Sequence, residues 1–293
     1  MSDEDVSNHG GRERRGWADG KGPRLNARPE TSRPADVDPT APAVELRDVH
    51  LSFGAKEILG GINLVIPPRE RLVVIGQSGG GKSTLLRLIL GILKASKGSV
   101  RFEGLEVDRL SRRQLNLVRQ RMGMVYQYSA LISSLSVRDN LALPLEELTT
   151  KSGAEIDHLV DEKLQMVGMA DARDKMPAEL SGGMRKRVGL ARGIIMDPRL
   201  ILYDEPSAGL DPVTSSVIDD LIIGLSEKIS ATSVIVTHEM ESAFKVATRM
   251  AMLYRGKIIA DDLPENFRHH SNPIVAQFIS GDVKGPILES AAP

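Results

Sequence analysis

From Val44 onward the chain alternates short apolar stretches with turns. Val44, Leu46, Val49, Leu51 and Phe53 fit a strand with one irregularity, Gly54 opens a turn, and Ile62, Leu64 and Ile66 alternate again, which predicts an antiparallel β edge. Val100 and Phe102, then Leu105 and Val107 across Glu103-Gly104, predict a further hairpin. Leu72 to Ile75, Leu200 to Tyr203 and Val234 to Val236 are instead apolar on consecutive residues. Strands buried on both faces read this way, so these three belong to a parallel sheet covered by helices. Leu85, Leu88, Ile89, Ile92 and Leu93 keep helical spacing, as do Val213, Val217, Ile218, Leu221, Ile222 and Leu225. Between about residues 128 and 182 the signal is mostly helical. There Ser136 and Asp139 suggest a capping box, and Ile156, Leu159, Val160, Leu164 and Val167 form an apolar stripe. This stretch reads as a helical subdomain inserted into an α/β core, with no internal repeat.

Residues 1 to about 42 follow no such pattern. They are rich in Gly, Pro, Arg and Asp, with Val6, Leu25 and Val37 as the branched aliphatic residues and Trp17 as the one aromatic. Such a segment buries too little to offset its ordering entropy and is expected to be disordered, with Trp17 either solvated or a docking point. Its eight acids and lack of an apolar core argue against a transit peptide or a secretory signal. The whole chain of 293 residues balances 38 Lys+Arg against 39 Asp+Glu, without the cationic excess that phosphate-neutralising nucleic-acid binders carry. Cysteine is absent, which removes disulfides, thiolate chemistry and Cys-ligated metals and fits a reducing compartment. No apolar run approaches the roughly 20 residues of a membrane-spanning helix, so a membrane role is expected to come through a partner.

Chemistry enters at Gly76-Gln77-Ser78-Gly79-Gly80-Gly81-Lys82-Ser83, followed by Thr84, a G-x4-G-K-[ST] loop directly after a buried strand and before an amphipathic helix. The glycines let successive N–H groups turn inward toward phosphate oxygens at the positive end of the helix. Lys82 is placed to neutralise the β and γ phosphates and Ser83 to offer its hydroxyl to Mg²⁺. A Gly-rich turn without a ligand is the alternative, and a chance match in a chain of this length has a probability of roughly one per cent.

About a hundred residues later Leu180-Ser181-Gly182-Gly183 opens another apolar helix, a second anion-binding helix start. Here the sequence resembles the ATP-binding cassette (ABC) ATPases, in which this signature from one subunit closes on the phosphate loop of its dimer partner. The resemblance implies a P-loop NTPase fold with an antiparallel β subdomain and an inserted helical subdomain. Leu200-Ile201-Leu202-Tyr203-Asp204-Glu205-Pro206 brings two adjacent acids to a strand end. Their side chains are expected to diverge, Asp204 toward Mg²⁺ and Glu205 toward the attacking water, a helix N-terminal acid pair being the alternative. By resemblance Phe53 is the aromatic on which adenine stacks, although a buried strand aromatic fits as well. Gln127 matches the Q-loop glutamine that links Mg²⁺ and water to the helical subdomain, Asp211 the D-loop acid at the dimer interface, and His238 the switch histidine near the γ-phosphate. All pieces stand in the family's order over about residues 44 to 260, which implies a working ATPase that binds ATP and Mg²⁺.

Finer features narrow the group. The run Leu180 to Val188, with Met184 where glutamine is commoner, is similar to the ATPases of Mla/Mce-type lipid transporters, including their plant and cyanobacterial members. Tyr128 to Asn140 resembles that group's SGALFDSLTVFENV stretch, with Ile132 in place of Phe and an unusual Tyr128. Gly209 matches an extra D-loop glycine. Asn272 to Gly281, with Gly285-Pro286-Ile287 beyond, looks like the group's C-terminal tail, and Asn272, Pro273 and Gly281 carry the cap signals of a short helix. Its apolar face has to pack on its own subunit or across a dimer.

The expected organisation is a tail over 1–42, a nucleotide-binding domain over 43–270 and a C-terminal helix and tail over 271–293. The resemblance implies a homodimer of ATPase subunits, a permease of the MlaE type, an Mce-domain lipid-binding protein and phospholipid cargo. It also implies attachment through the permease to the cytoplasmic face of the inner or plasma membrane, or the stromal face in a plastid, and no nucleic-acid partner. The competing readings are an importer ATPase for another solute such as an amino acid, a soluble non-transport cassette protein, and a P-loop kinase. The last would lack the LSGG helix start and the acid pair followed by a D-loop.

Overall fold

The computed structural model describes residues 40–289. The expectations for the N-terminal tail up to residue 39, Trp17 included, fall outside the described residues. Two sheets organise the rest. Strands β1 (Val44–Phe53), β2 (Lys56–Ile66), β4 (Lys97–Phe102) and β5 (Leu105–Glu106) form an antiparallel sheet of order β2-β1-β4-β5. Strands β3 (Arg71–Ile75), β6 (Met122–Val125), β7 (Leu200–Asp204), β8 (Thr232–Thr237), β9 (Arg249–Tyr254) and β10 (Lys257–Asp262) form the second sheet, of order β10-β9-β3-β8-β7-β6. It is parallel except for the edge strand β10.

The consecutive apolar runs have a direct physical outcome. Alternation sends Val73, Ile75, Ile201, Tyr203 and Ile235 to one face of the parallel sheet, into a core shared with the helical subdomain. Leu72, Val74, Leu200, Leu202 and Val234 point to the other, into a core shared with the antiparallel sheet. The second core also takes α1 (Lys82–Ile89), while α2 (Arg112–Arg119) flanks it with Val118. The first takes α3 (Val137–Leu148), α4 (Gly153–Met166), α5 (Gly182–Gly193), α6 (Pro212–Lys228) and α7 (Met240–Val246).

Helices α8 (Pro264–Arg268) and α9 (Pro273–Ser280) lay Phe267 and Val275 on this same core of their own chain. Asn272 caps α9 and Gly281 ends it in the left-handed conformation. Buried Gln277 then donates to Asp282 O and accepts from Ile287 N, tying α10 (Pro286–Glu289) back onto α9.

Three local expectations differ from what forms. The helix after the phosphate loop stops at Ile89, because Gly91 turns left-handed where a Cβ would meet Val107 and Leu115, and Ile92 is left exposed. Val107 leaves the hairpin and opens a 3-10 turn instead of extending the strand. Ser136 caps α3 through Asp139 N, but the Asp139 carboxylate accepts the Ser136 hydroxyl, so the reciprocal box is not closed.

Candidate functional site

The phosphate loop leaves β3 at Gly76, whose φ of 154° places a would-be Cβ 2.2 Å from Leu253 O, so only glycine fits. It enters α1 at Gly81. Helices α2 to α6 each start on a Ser or Asp side chain that accepts a backbone N–H. Helix α1 starts on a left-handed glycine with no side-chain cap. Its first-turn amides, those of Lys82, Ser83 and Thr84, therefore have no acceptor within the helix. Gln77, Ser78 and Gly79 are exposed, and a Cβ on Gly79 would meet nothing within 4 Å. The start of β2 backs the loop, since a Cβ on Gly81 would come 3.0 Å from Leu59 Cδ2. The hairpin from β1 to β2 thereby brings Phe53, 54% exposed, to this side of the molecule, which removes the buried-aromatic alternative.

Around the loop the acids are distributed by backbone geometry. Asp204, at the end of β7, accepts the Ser83 hydroxyl at 2.8 Å. Glu205 leaves the strand at φ 50°, and this left-handed step, more than strand alternation, separates the two carboxyl groups. Its Oε2 accepts from His238 N at 3.3 Å and lies 2.9 Å from His238 Nδ1, while its Oε1 is 3.6 Å from Lys82 Nζ. Lys82 itself donates to Gly76 O at 2.7 Å and Gln77 O at 3.1 Å. Burial lowers its affinity for the proton, and Glu205 opposes that effect. His238 follows β8, and its ring is half exposed.

The structure thus joins Lys82, Ser83, Asp204, Glu205 and His238. It does not join the signature to them. Ser181 caps α5 at Met184 N, and a Cβ on Gly183 would press on Thr214 of α6. No hydrogen bond or ion pair links residues 181–183 to the phosphate loop among the described residues. Asp211 is exposed and caps α6 through Thr214 N and Oγ1, whose bonds hold its carboxyl below the ordinary range. Gln127 lies two residues past β6. Its carbonyl is bonded by Lys186, and its side-chain amide has no hydrogen-bond partner among the described residues.

Sequence reasoning missed what lies behind the site. Ser207 donates to Glu239 at 2.9 Å and lies 3.4 Å from Ser242 Oγ, and Ser242 donates to Asp219 at 2.9 Å. Serines and acids on amphipathic helices carry no signal that they will converge. Asp219 is 3% exposed, and burial pushes its carboxyl up to about 6. A folded-state value above the ordinary 3.8 means the native protein holds this proton more tightly than the unfolded chain. The stabilising contribution is complete below about pH 4 and is lost as pH rises to about 6, amounting to about 3 kcal/mol at most. Asp219→Asn, which keeps an acceptor for Ser242, should therefore gain stability relative to the parent at pH 7, with the gain shrinking to about a third at pH 4.5 and nearly vanishing below pH 4, as read by urea unfolding.

As donors, the Ser83 hydroxyl, the Asp204 carboxylate and the Gln127 amide are all hard oxygens, the set that suits Mg²⁺. The uncapped α1 amides and buried Lys82 suit a polyphosphate.

Comparison with known proteins follows the same line. The family described as ABC transporter matches residues 59–208. The chain is 40% identical over 249 residues to the "Probable ribonucleotide transport ATP-binding protein mkl" of Mycobacterium leprae, covering 85% of this chain and 72% of that protein. It is 40% identical to "Protein TRIGALACTOSYLDIACYLGLYCEROL 3, chloroplastic" of Arabidopsis thaliana, covering 83% and 75%. It is 38% identical to the "Intermembrane phospholipid transport system ATP-binding protein MlaF" of Escherichia coli, covering 83% and 91%. Among solved structures it resembles cbiO1 of the cbiONQ ABC transporter complex of Clostridium perfringens, with a TM-score of 0.73, 28% identity and coverage of 78% and 92%. It also resembles a dimeric post-hydrolysis state of the ATP-binding cassette MJ0796 bound to ADP and Pi, with a TM-score of 0.69, 30% identity and coverage of 75% and 98%. With the cassette fold, a phosphate loop that meets two acids and a histidine, and relatives matched over most of their length, the chain belongs to the ABC transporter family as an ATP-hydrolysing subunit.

Proposed function

We propose that this subunit energises phospholipid transport: two copies close on ATP held between the phosphate loop of one and Ser181-Gly182-Gly183 of the other, hydrolyse it and reopen. The observation that carries the catalytic part is Glu205, held between Lys82 and His238 beside the Ser83–Asp204 pair. In this reading Gly76 to Thr84 bind the phosphates, Phe53 stacks on adenine and Asp211 meets the partner copy. Ser83, Asp204 and Gln127 hold Mg²⁺, which when bound neutralises charge on the phosphate oxygens. Glu205 orients the attacking water and draws on its proton, and His238 steadies that carboxylate through Nδ1.

Phospholipid as cargo is supported by the relative named for intermembrane phospholipid transport, matched over 91% of its length, and lipid cargo more broadly by the chloroplastic protein, whose name is that of a galactolipid. The stretch from Tyr128 to Asn140 and the C-terminal helix give further support. The relative named for ribonucleotide transport offers a second reading, matched over 72% of its length. No helix among the described residues is long and apolar enough to cross a membrane. Attachment to the cytoplasmic or stromal membrane face then comes through an MlaE-type permease, accompanied by an Mce-domain lipid-binding protein. A cleft of about 550 Å³ between α2, β6, α3 and α5, lined by Tyr126, Ile132, Pro144 and Leu148, offers one apolar surface to that permease. Isolation of the detergent-solubilised complex should yield a membrane permease, an Mce-domain subunit and bound phospholipid. A soluble ribonucleotide- or amino-acid-binding subunit in their place would overturn the cargo.

A further inference from the structure

Helix α5 carries two cations on its inner side without a carboxylate within ion-pair distance among the described residues. Lys186 is 7% exposed, and its ammonium rests on two main-chain oxygens, 2.5 Å from Gln127 O and 3.4 Å from Glu205 O. Arg192 donates to Ala130 O at 2.6 Å and Ser129 O at 2.8 Å. Gly189 lies midway between them, where a Cβ would come 3.1 Å from Ser129 Cβ. The spacing of three residues puts Lys186, Gly189 and Arg192 on one stripe of the helix. That stripe seats residues 127–130, in which Ser129 and Ala130 both hold left-handed φ values, 59° and 46°.

A buried cation solvated only by carbonyls is expensive, and burial duly lowers the Lys186 proton affinity, with Glu239 and Glu205 opposing. Left-handed backbone at residues other than glycine persists only where its surroundings impose it. Both costs fall on the loop after Gln127 and on the backbone of Glu205, itself left-handed at φ 50°.

We propose that Lys186 is a positioning residue for hydrolysis: by bonding both carbonyls it fastens the backbone of Gln127 to that of Glu205. The signature helix, the loop after Gln127 and the water-orienting carboxylate then shift as one body. Ser181 begins the same helix that carries Lys186, and Arg192 lines the cleft beside Tyr126 and Ile132. Lys186 thus lies where displacement at either place would reach Glu205. The inference rests on the proposed role of Glu205, and it adds a group whose bonds are to main-chain carbonyls of the site.

The test uses the full-length chain and Mg-ATP. Lys186→Met keeps the stem and removes the ammonium. It should lower kcat at least tenfold while KM and the affinity for a fluorescent ATP analogue stay within about threefold. Amide hydrogen exchange at residues 126–131 should quicken. Lys186→Arg and Lys186→Gln, which retain donors, should each exceed the Met variant in kcat by at least threefold. An unchanged kcat for Lys186→Met, or Arg and Gln variants as slow as Met, overturns the proposal. Should Lys186→Met fail to fold, the Arg and Gln variants decide it against the parent: at least a tenth of parental kcat with unaltered KM supports it, and a lower kcat or an altered KM overturns it. Glu205→Gln measured alongside separates the two readings. If it still hydrolyses, the role of Glu205 fails; if it is inactive and Lys186→Met is fully active, only the present inference fails.

Discussion

Glu205→Gln is expected to bind Mg-ATP about as tightly as the parent, to lose turnover by roughly 10²- to 10⁴-fold, and to accumulate as an ATP-bound dimer. The substitution is nearly isosteric and keeps an oxygen that can accept from His238 N, so the local backbone has little reason to move. What disappears is the carboxylate charge facing Lys82 at 3.6 Å and the capacity to take a proton from water. A positioned general base contributes about 10²- to 10⁴-fold, which sets the size of the expected loss. Removing a negative charge from the neighbourhood of the triphosphate leaves binding intact or improves it. Steady-state phosphate release, titration with a fluorescent ATP analogue and sedimentation velocity read the three consequences separately. Hydrolysis at the parental rate would contradict the assignment of the base.

Lys82→Ala acts on the other half of the site, and its expected effect falls on binding. The Lys82 ammonium is the cation nearest the uncapped start of α1, and it already lies on Gly76 O and Gln77 O of the loop. Truncating one member of a buried, hydrogen-bonded charge pair costs about 2–5 kcal/mol, so affinity for Mg-ATP should fall roughly 30- to 5,000-fold by calorimetry. Alanine at this first helical position favours the helix, so α1 should persist and circular dichroism should change little. Undiminished affinity would remove the phosphate-loop reading. The two variants are complementary: one binds without turning over, and the other fails before turnover is reached.

Much of this was legible without coordinates because the signals are local. A glycine run between a buried strand and a helix has few conformations open to it, and four consecutive apolar residues before Asp204-Glu205 fit a short strand with both faces covered, which is what forms. The cap signals of α9, Asn272, Pro273 and Gly281, are likewise contained within one short segment. Errors arose where a local signal met a neighbour. Gly91 ends α1 early because Val107 and Leu115 approach it, and Phe53 could be read as buried or exposed until the hairpin was placed.

Lys186 is the clearest case of information absent from the chain as a string. Within Met184-Arg185-Lys186-Arg187 it reads as one member of a solvated basic run, yet it is buried against carbonyls 59 and 19 residues away in sequence. Asp219 and Ser242 are similar, ordinary on their own helices and paired only when α6 and α7 pack. The sequence by itself determined the antiparallel edge, three central strands of the two-faced sheet and the local placement of the glycine loop and the acid pair at strand ends, since periodicity and short motifs depend on neighbours along the chain. Strands β9 and β10 came only with the fold. Only the tertiary structure decided which carbonyls the α5 cations meet, that Glu205 departs from its strand left-handed between Lys82 and His238, and that Asp219 is driven toward its neutral form. Those outcomes depend on burial and on long-range approach, which no stretch of residues encodes alone.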